Sequence, residues 1–273
     1  MTVPEVSDEE INSLTNSIRV RHGIDFTCYE IKSLKRRVIR IMGMYDMLST
    51  HDLWVKFLRE RDFVQTFMNE ISVGMTSMFR DPILWQNLKQ RIKIKDVSEP
   101  LRIWHSGCST GEEVYTMSIL LRELNQNRTV KAICSDINSA AIDIAKSGYY
   151  HKIKMIENET NYKAYNPFGD FTKYYTVADS KHVQMDLSLL DHATFQLQNL
   201  IMDTFPKDLD IIFCRNVMIY FDTGAKQKLI DKFCDALKPG GFLIIGFFDT
   251  MGQIIESNRF TLLDEPAKIF QKR

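Results

Sequence analysis

Residues 101–113 read Leu101-Arg102-Ile103-Trp104-His105-Ser106-Gly107-Cys108-Ser109-Thr110-Gly111-Glu112-Glu113. A short apolar run passes into small residues with two glycines, and a helical pattern follows from Glu112 to about Asn125. Strand, tight loop and helix in this order form the unit with which open α/β sheets hold ligands at the carboxyl ends of their strands. Outward from it, strand and helix patterns alternate: Val130 to Ser135, Ser139 to Ser147, Leu209 to Cys214, and Thr223 to Leu237. The turn Lys238-Pro239-Gly240-Gly241 and a strand from Phe242 to Phe247 complete the run. The alternation predicts a mostly parallel sheet covered on both faces, with right-handed connections. Residues 149–198 break the rhythm and predict short strands and turns.

Upstream, the spacing is helical throughout. Ser7-Asp8-Glu9-Glu10 predicts an N-cap with its capping box, followed by Ile11, Leu14 and Ile18 on one face. A second helix is predicted from about Cys28 to Met42, with Ile31, Leu34, Val38 and Ile41 inward. A third follows Ser49-Thr50 with Leu53, Trp54, Phe57 and Leu58, and a fourth holds Phe63, Val64, Phe67, Met68 and Ile71. This divides the chain into a helical domain over 1–75, a linker over 76–96 and an α/β domain over 97–273.

Composition bounds the function. Lys plus Arg equals Asp plus Glu at 35 each, which argues against a surface that grips nucleic acid along its whole extent. Hydrophobic residues make up 44% of the 273, enough to build a sizeable core. No apolar stretch reaches ~18 residues, so no membrane insertion is expected. The N-terminus is acidic and has no secretory-signal pattern. Five scattered cysteines without a CxxC pair read as reduced core thiols and predict no metal site. The expectation is a monomer in the cytoplasm.

The loop over 105–111 has the spacing G-x-x-x-G and lacks the third glycine of a dinucleotide fingerprint. Glu112 and Glu113 would repel a pyrophosphate at this helix N-terminus, and they suit a cofactor that carries positive charge and hydroxyls. Asp136 ends the next strand, where a carboxylate can accept hydrogen bonds from both ribose hydroxyls of a nucleoside. Together they point to S-adenosylmethionine (SAM), a sulfonium without phosphate. Structural alternatives stand beside this: a plain strand-to-helix turn for the loop, and an N-cap for Asp136, although Ser139 is placed better as the cap. The densest cluster is Asp210-Ile-Ile-Phe-Cys-Arg-Asn-Val-Met-Ile-Tyr-Phe-Asp222, an apolar strand running into Arg215-Asn216, an aromatic pair and an acid. Polar side chains at a strand end are placed for a ligand, whereas mid-strand they would be buried at a cost. Arg215 as an ion-pair partner and Tyr220 as a core aromatic are the alternatives.

Taken together, the segments resemble the chemotaxis receptor methyltransferases (CheR). Ile103 to Glu113 is similar to their first SAM motif, and Ser135-Asp136-Ile137-Asn138 with Ala145 to Tyr150 to their second. Phe213-Cys214-Arg215-Asn216-Val217-Met218-Ile219-Tyr220-Phe221-Asp222 is nearly a verbatim match to their most specific signature. Leu237-Lys238-Pro239-Gly240-Gly241 and Thr76-Ser77-Met78-Phe79-Arg80-Asp81 match the later turn and the linker motif. The resemblance implies a class I SAM-dependent methyltransferase fold, with a small antiparallel β subdomain at about 150–198 and a helical domain over the active site. It implies protein-glutamate O-methylation of the cytoplasmic methylation region of chemoreceptors. Thr76, Arg80, Glu112, Asp136, Asn199, Leu200, Arg215 and Asn216 would line the SAM pocket, and Arg80 and Tyr220 would handle the substrate glutamate. The alternative is a SAM-binding regulatory or scaffold module with weak catalysis or none.

Three departures from the family pattern stand out: Gly74 in place of the usual Asn, Val114 in place of Pro, and Phe247-Phe248-Asp249 in place of His-Ser-Glu. The helix around 28–40 carries Lys32, Lys35, Arg36, Arg37 and Arg40 against Glu30. Lys32, Arg36 and Arg40 fall at i, i+4 and i+8 on one stripe. Such a run is either a solvated face or, as the resemblance implies, the docking surface for the receptor coiled coil. Some relatives bind a receptor C-terminal pentapeptide through a glycine-rich turn in the β subdomain. Between Tyr150 and Asn199 this chain has only Gly169, which favours a member without that tether.

Overall fold

The chain opens with α1 (Asp8–His22), α2 (Ile31–Met44), α3 (Thr50–Arg59) and α4 (Phe63–Ile71). A computed structural model describes residues 6–71, 76–93, 99–125, 129–247, 249, 255 and 259–273. The capping box forms at the start of α1: Glu10 N–H donates to Ser7 Oγ at 3.1 Å, and Ser7 N–H to the Glu10 carboxylate at 2.7 Å. Ile11, Leu14, Ile18, Leu34, Val38 and Ile41 bury their helix faces against Phe26, Phe57 and Phe67. Phe67 meets both other rings edge-on, at 5.7 Å from Phe26 and 5.1 Å from Phe57, a favoured aromatic geometry. The helices therefore share a core of their own.

After α5 (Pro82–Lys93) come β1 (Leu101–Ser106), α6 (Glu112–Leu124), β2 (Val130–Asp136), α7 (Ser139–Ser147) and β3 (Tyr149–His151). Next are α8 (Lys152–Tyr165), β4 (Tyr175–Val177), β5 (His182–Met185), β6 (Ala193–Leu197) and β7 (Leu209–Cys214). The chain ends with α9 (Thr223–Ala236), β8 (Leu237–Ile245), β9 (Phe260–Asp264) and β10 (Ile269–Lys272). The seven-stranded sheet has the order β6-β2-β1-β7-β8-β10-β9. Its strands pair in parallel as far as β8, and β10 runs antiparallel to both neighbours. Successive residues of β8 alternate faces: Phe242 and Ile244 join one core cluster, Leu243 and Ile245 the other. β7 is buried along its whole length, as a strand covered on both sides must be. The strand order turns back between β1 and β7, and the ligand crevice of an open α/β sheet lies at that switch point.

Two local expectations differ. The segment after β3 contains the helix α8 rather than only strands and turns. Its inward positions are Met155, Asn158, Tyr162 and Tyr165, while Ile153 and Ile156 are exposed, so its hydrophobic pattern is inverted. Asn158 sits inside because its side-chain oxygen accepts the Met78 N–H at 2.8 Å. At α7 the cap is Asn138, which accepts the Ala141 N–H, rather than Ser139. The small antiparallel sheet is β3-β5-β4, and β6 pairs with β2 in the large sheet. No helix among the described residues is long and apolar enough to cross a membrane.

His192, just before β6, gives the fold a pH dependence. Burial pulls its imidazole down to about 4, and the nearby His105 acts in the same direction. The unfolded chain takes up this proton near pH ~6.5 and the folded chain does not, so the contribution is complete above that value and fades as pH falls toward about 4. A loss of roughly 2–3 kcal/mol across that window is expected. Chemical denaturation at several pH values checks it: His192→Gln should flatten the slope, and an unchanged slope would assign it to other groups.

Candidate active site

The carboxyl ends of β1, β2, β6 and β7 face one cavity of about 390 Å³, a usual size for a cofactor site. Gly107 N–H and Cys108 N–H both donate to the Ser135 carbonyl, at 2.8 and 2.9 Å, tying the β1 loop to the end of β2. Gly107 has φ +84, and a Cβ there would lie 2.3 Å from Val217 Cγ2, so only glycine lets the two loops approach this closely. Gly107→Ala should push Val217 into the cavity and weaken SAM binding at least about tenfold by calorimetry; undiminished affinity would show that the loops can part without consequence.

Asp136 stands at the end of β2. Its Oδ2 accepts the Ser109 N–H at 2.8 Å and its Oδ1 the Asn138 N–H at 2.9 Å. Burial raises its carboxyl above the ordinary range, and the N–H groups of Asn138, Ser109 and Ile137 oppose that rise. A carboxylate has about four lone-pair sites, so these N–H groups leave acceptor capacity for a hydroxyl donor.

The linker reaches the cavity through Thr76 and Arg80. Phe79 and Asp81, on either side of Arg80, have left-handed φ of 53° and 59°. This strained turn is fixed from several directions. Phe79 N–H donates to Thr116 Oγ1 at 2.9 Å, and the Arg80 carbonyl accepts from Trp85 Nε1 at 2.9 Å and Arg215 Nη2 at 3.0 Å. Ser109 and Asn216, also at positive φ, line the same cavity. Strain held in place this way concentrates at functional sites.

The acidic pair divides its work. Glu112, expected beside the cofactor, is not among the residues that line the cavity, and its carboxylate accepts from Thr110 Oγ1 at 2.6 Å and Lys154 Nζ at 3.0 Å. Glu113 lines the cavity instead. It bridges His105 Nδ1 at 2.9 Å and Arg215 Nη1 at 3.2 Å. Burial alone would raise the Glu113 carboxyl, but His105 and Arg215 together hold it below its ordinary value. Helical periodicity explains the division, since neighbouring residues on a helix face about 100° apart. Arg215 also meets Asp81 at 2.7 Å, so it serves as an ion-pair hub as well as a lining residue.

Asn199, Leu200 and Asn216 line the cavity, and so does Tyr220. The helical unit contributes the remaining wall. Glu30 N–H donates to the Tyr220 carbonyl and Asp222 N–H to the Cys28 carbonyl, both at 2.9 Å, so residues 28–30 pair with 220–222. The Tyr29 ring meets Phe221 edge-on at 5.0 Å. Arg37, expected on the outer docking face, is buried, with its guanidinium 4.0 Å from the centre of the Tyr220 ring. Lys32, Arg36 and Arg40 remain exposed on the outer face of α2; Arg40 contacts Glu70, and the half-buried Lys35 pairs with Asp8 at 3.2 Å. Tyr29, Arg37 and Gln198 are lining residues that motif spacing does not reveal. Gly74 and Phe248 lie outside the described residues.

These residues fit SAM. The Asp136 carboxylate suits a ribose, Gly107 lets backbone close on the ligand, and neither loop offers the basic, glycine-rich cradle of a pyrophosphate site. The sheet order and this cavity at its switch point define a class I SAM-dependent methyltransferase. Comparison with known proteins narrows the class. The family described as CheR methyltransferase, SAM binding domain, matches residues 74–268, and the chain belongs to that family. It is 32% identical to the Pseudomonas putida protein Cher3, across the full length of both chains. It is 27% identical to the chemotaxis protein methyltransferase of Escherichia coli, covering 98% of this chain and 92% of that one. The chemotaxis protein methyltransferase of Listeria innocua is also 27% identical, over 82% of this chain and 83% of its own.

Proposed function

We propose that the protein methylates glutamate side chains in the cytoplasmic methylation region of chemoreceptors, forming glutamate methyl esters in chemosensory adaptation. The observation that carries this reading is the convergence of Arg80, Arg37 and Tyr220 on the cavity that Asp136 also lines. Two guanidiniums and a phenol suit an anionic side chain entering at that wall. SAM, when bound, supplies a sulfonium methyl group that a carboxylate oxygen can displace.

In this reading Asp136 holds the ribose, Thr76, Asn199, Leu200, Arg215 and Asn216 complete the cofactor wall, and Arg80 lies between cofactor and substrate. The described lining residues include no histidine. Glu113 is committed to His105 and Arg215, and burial pushes the Cys108 thiol well above its ordinary value. A glutamate needs no general base, because it is already ionised above pH ~5. The protein's part is to orient one carboxylate oxygen and exclude water from it. Arg37 lies over the Tyr220 ring and also engages its hydroxyl, so the two side chains hold one orientation and together direct the substrate. The exposed Lys32, Arg36 and Arg40 would meet the acidic receptor surface. A cytoplasmic monomer suits such a partner.

A receptor fragment tests the acceptor chemistry. Methyl groups mapped by mass spectrometry should fall on glutamates of the methylation region, and replacing those glutamates by alanine should abolish acceptance. Methyl groups on lysine, or acceptance that survives the replacement, would overturn the reading.

A further inference from the structure

The loop after β8 departs from the pattern of the family, yet its acid lies deep in the protein. Asp249 is 4% exposed. Its Oδ2 accepts two main-chain hydrogen bonds, from Asn216 N–H at 3.0 Å and Gly246 N–H at 2.8 Å. Its Oδ1 is buried and makes no hydrogen bond of ordinary geometry among the described residues, although the Ile219 N–H also favours the carboxylate. Asn216 has φ 58°, a left-handed conformation, and it is the cavity-lining residue between Arg215 and Val217.

We propose that Asp249 is a positioning residue for cofactor binding: one carboxylate oxygen holds Asn216 in its left-handed turn and so sets the wall formed by residues 215–217. The packing around Gly246 supports this. A Cβ at Gly246 would lie 2.6 Å from Asn216 N and 2.8 Å from Asp249 Oδ2, so the same three residues are closed against one another with no room for a methyl group. Burial pushes the Asp249 carboxyl up, against the pull of the Asn216 and Gly246 N–H groups, of Lys226 and of the Ile219 N–H. A carboxylate retained there at that cost has a structural task that a smaller or apolar side chain would not perform. The remaining clamp comes from the other side, where Val217 packs on Gly107.

The inference rests on the cofactor and not on the identity of the methyl acceptor. Its test is calorimetric titration of SAM and S-adenosylhomocysteine into the whole chain. Asp249→Ala leaves two buried N–H groups without an acceptor and should weaken both ligands about tenfold or more. Asp249→Asn should stay within about threefold of the parent, because its amide oxygen can accept the Asn216 and Gly246 N–H groups as Oδ2 does. Gly246→Ala keeps the carboxylate but crowds both Asp249 Oδ2 and the Asn216 N–H, so it should weaken binding whether or not the alanine variant at 249 folds. Parental affinity in Asp249→Ala or Gly246→Ala, or a folded Asp249→Asn as weak as Asp249→Ala, would overturn the proposal. A parent protein that binds SAM but leaves receptors unmethylated would overturn the proposed function and leave this contrast intact.

Discussion

Asp136→Asn is expected to bind SAM about a hundredfold more weakly than the parent protein. Charge-assisted hydrogen bonds to two hydroxyls are worth roughly 1.5–3 kcal/mol each, and an amide offers one neutral acceptor where the carboxylate offers two charged ones. The substitution also turns an NH₂ group toward either the Ser109 or the Asn138 N–H, loosening the loop that Asp136 anchors. A pH signature accompanies it. The carboxylate form accepts the hydroxyls and protonation removes an acceptor, so affinity should fall with acidity. Burial has raised this carboxyl, so the fall should begin above the ordinary carboxylate range. Calorimetry across pH checks both: the variant should lack the acid-dependent loss, and equal affinity in the two proteins would remove Asp136 from the cofactor site.

Arg80→Ala should lose methyl transfer by at least about a hundredfold while the protein stays folded. The fold survives because the turn is held by the Arg80 carbonyl and by neighbouring backbone groups, none of which the substitution touches. The activity goes because a guanidinium orients a carboxylate through a planar fork, and misplacing reacting groups by about an ångström costs on the order of a hundredfold. Arg80→Lys keeps the charge without the fork and should recover only part of the rate. Single-turnover transfer beside a thermal melt makes the measurement. Near-parental turnover in the alanine variant would assign the substrate carboxylate to other groups.

The elements that position the site were legible where the chemistry is local in the chain. The loop from Gly107 to Gly111, Asp136 at its strand end and the segment from Arg215 to Tyr220 each announce themselves through a change from apolar to polar at a strand terminus. Legibility failed where a residue answers to a distant partner. Arg37 reads as one of a run of cations, yet the return of residues 28–30 to pair with 220–222 carries it inward onto Tyr220. Glu112 and Glu113 are adjacent acids in sequence, and only Lys154, from α8, and Arg215, from the end of β7, decide which of them faces the cavity. Helix α8 was hidden because Asn158 occupies a core position to satisfy Met78, while Ile153 and Ile156 face outward.

Net charge shows the same effect of scale. A balance of 35 cations and 35 anions describes no patch of surface. It contains a stripe of exposed cations on α2, and a cavity whose three arginines, Arg37, Arg80 and Arg215, face Asp136 and Glu113. Charges grouped on one helix face or around one cavity cancel in the total, which carries no trace of where they lie.

Glutamate methylation is measured most directly by transfer of a labelled methyl group from SAM to receptor membranes, followed by mild alkali. Carboxyl methyl esters hydrolyse there and methylated amines do not. Label should appear on the receptor and be released by alkali as volatile methanol. Alkali-stable label, or no transfer by a protein that demonstrably binds SAM, would contradict it.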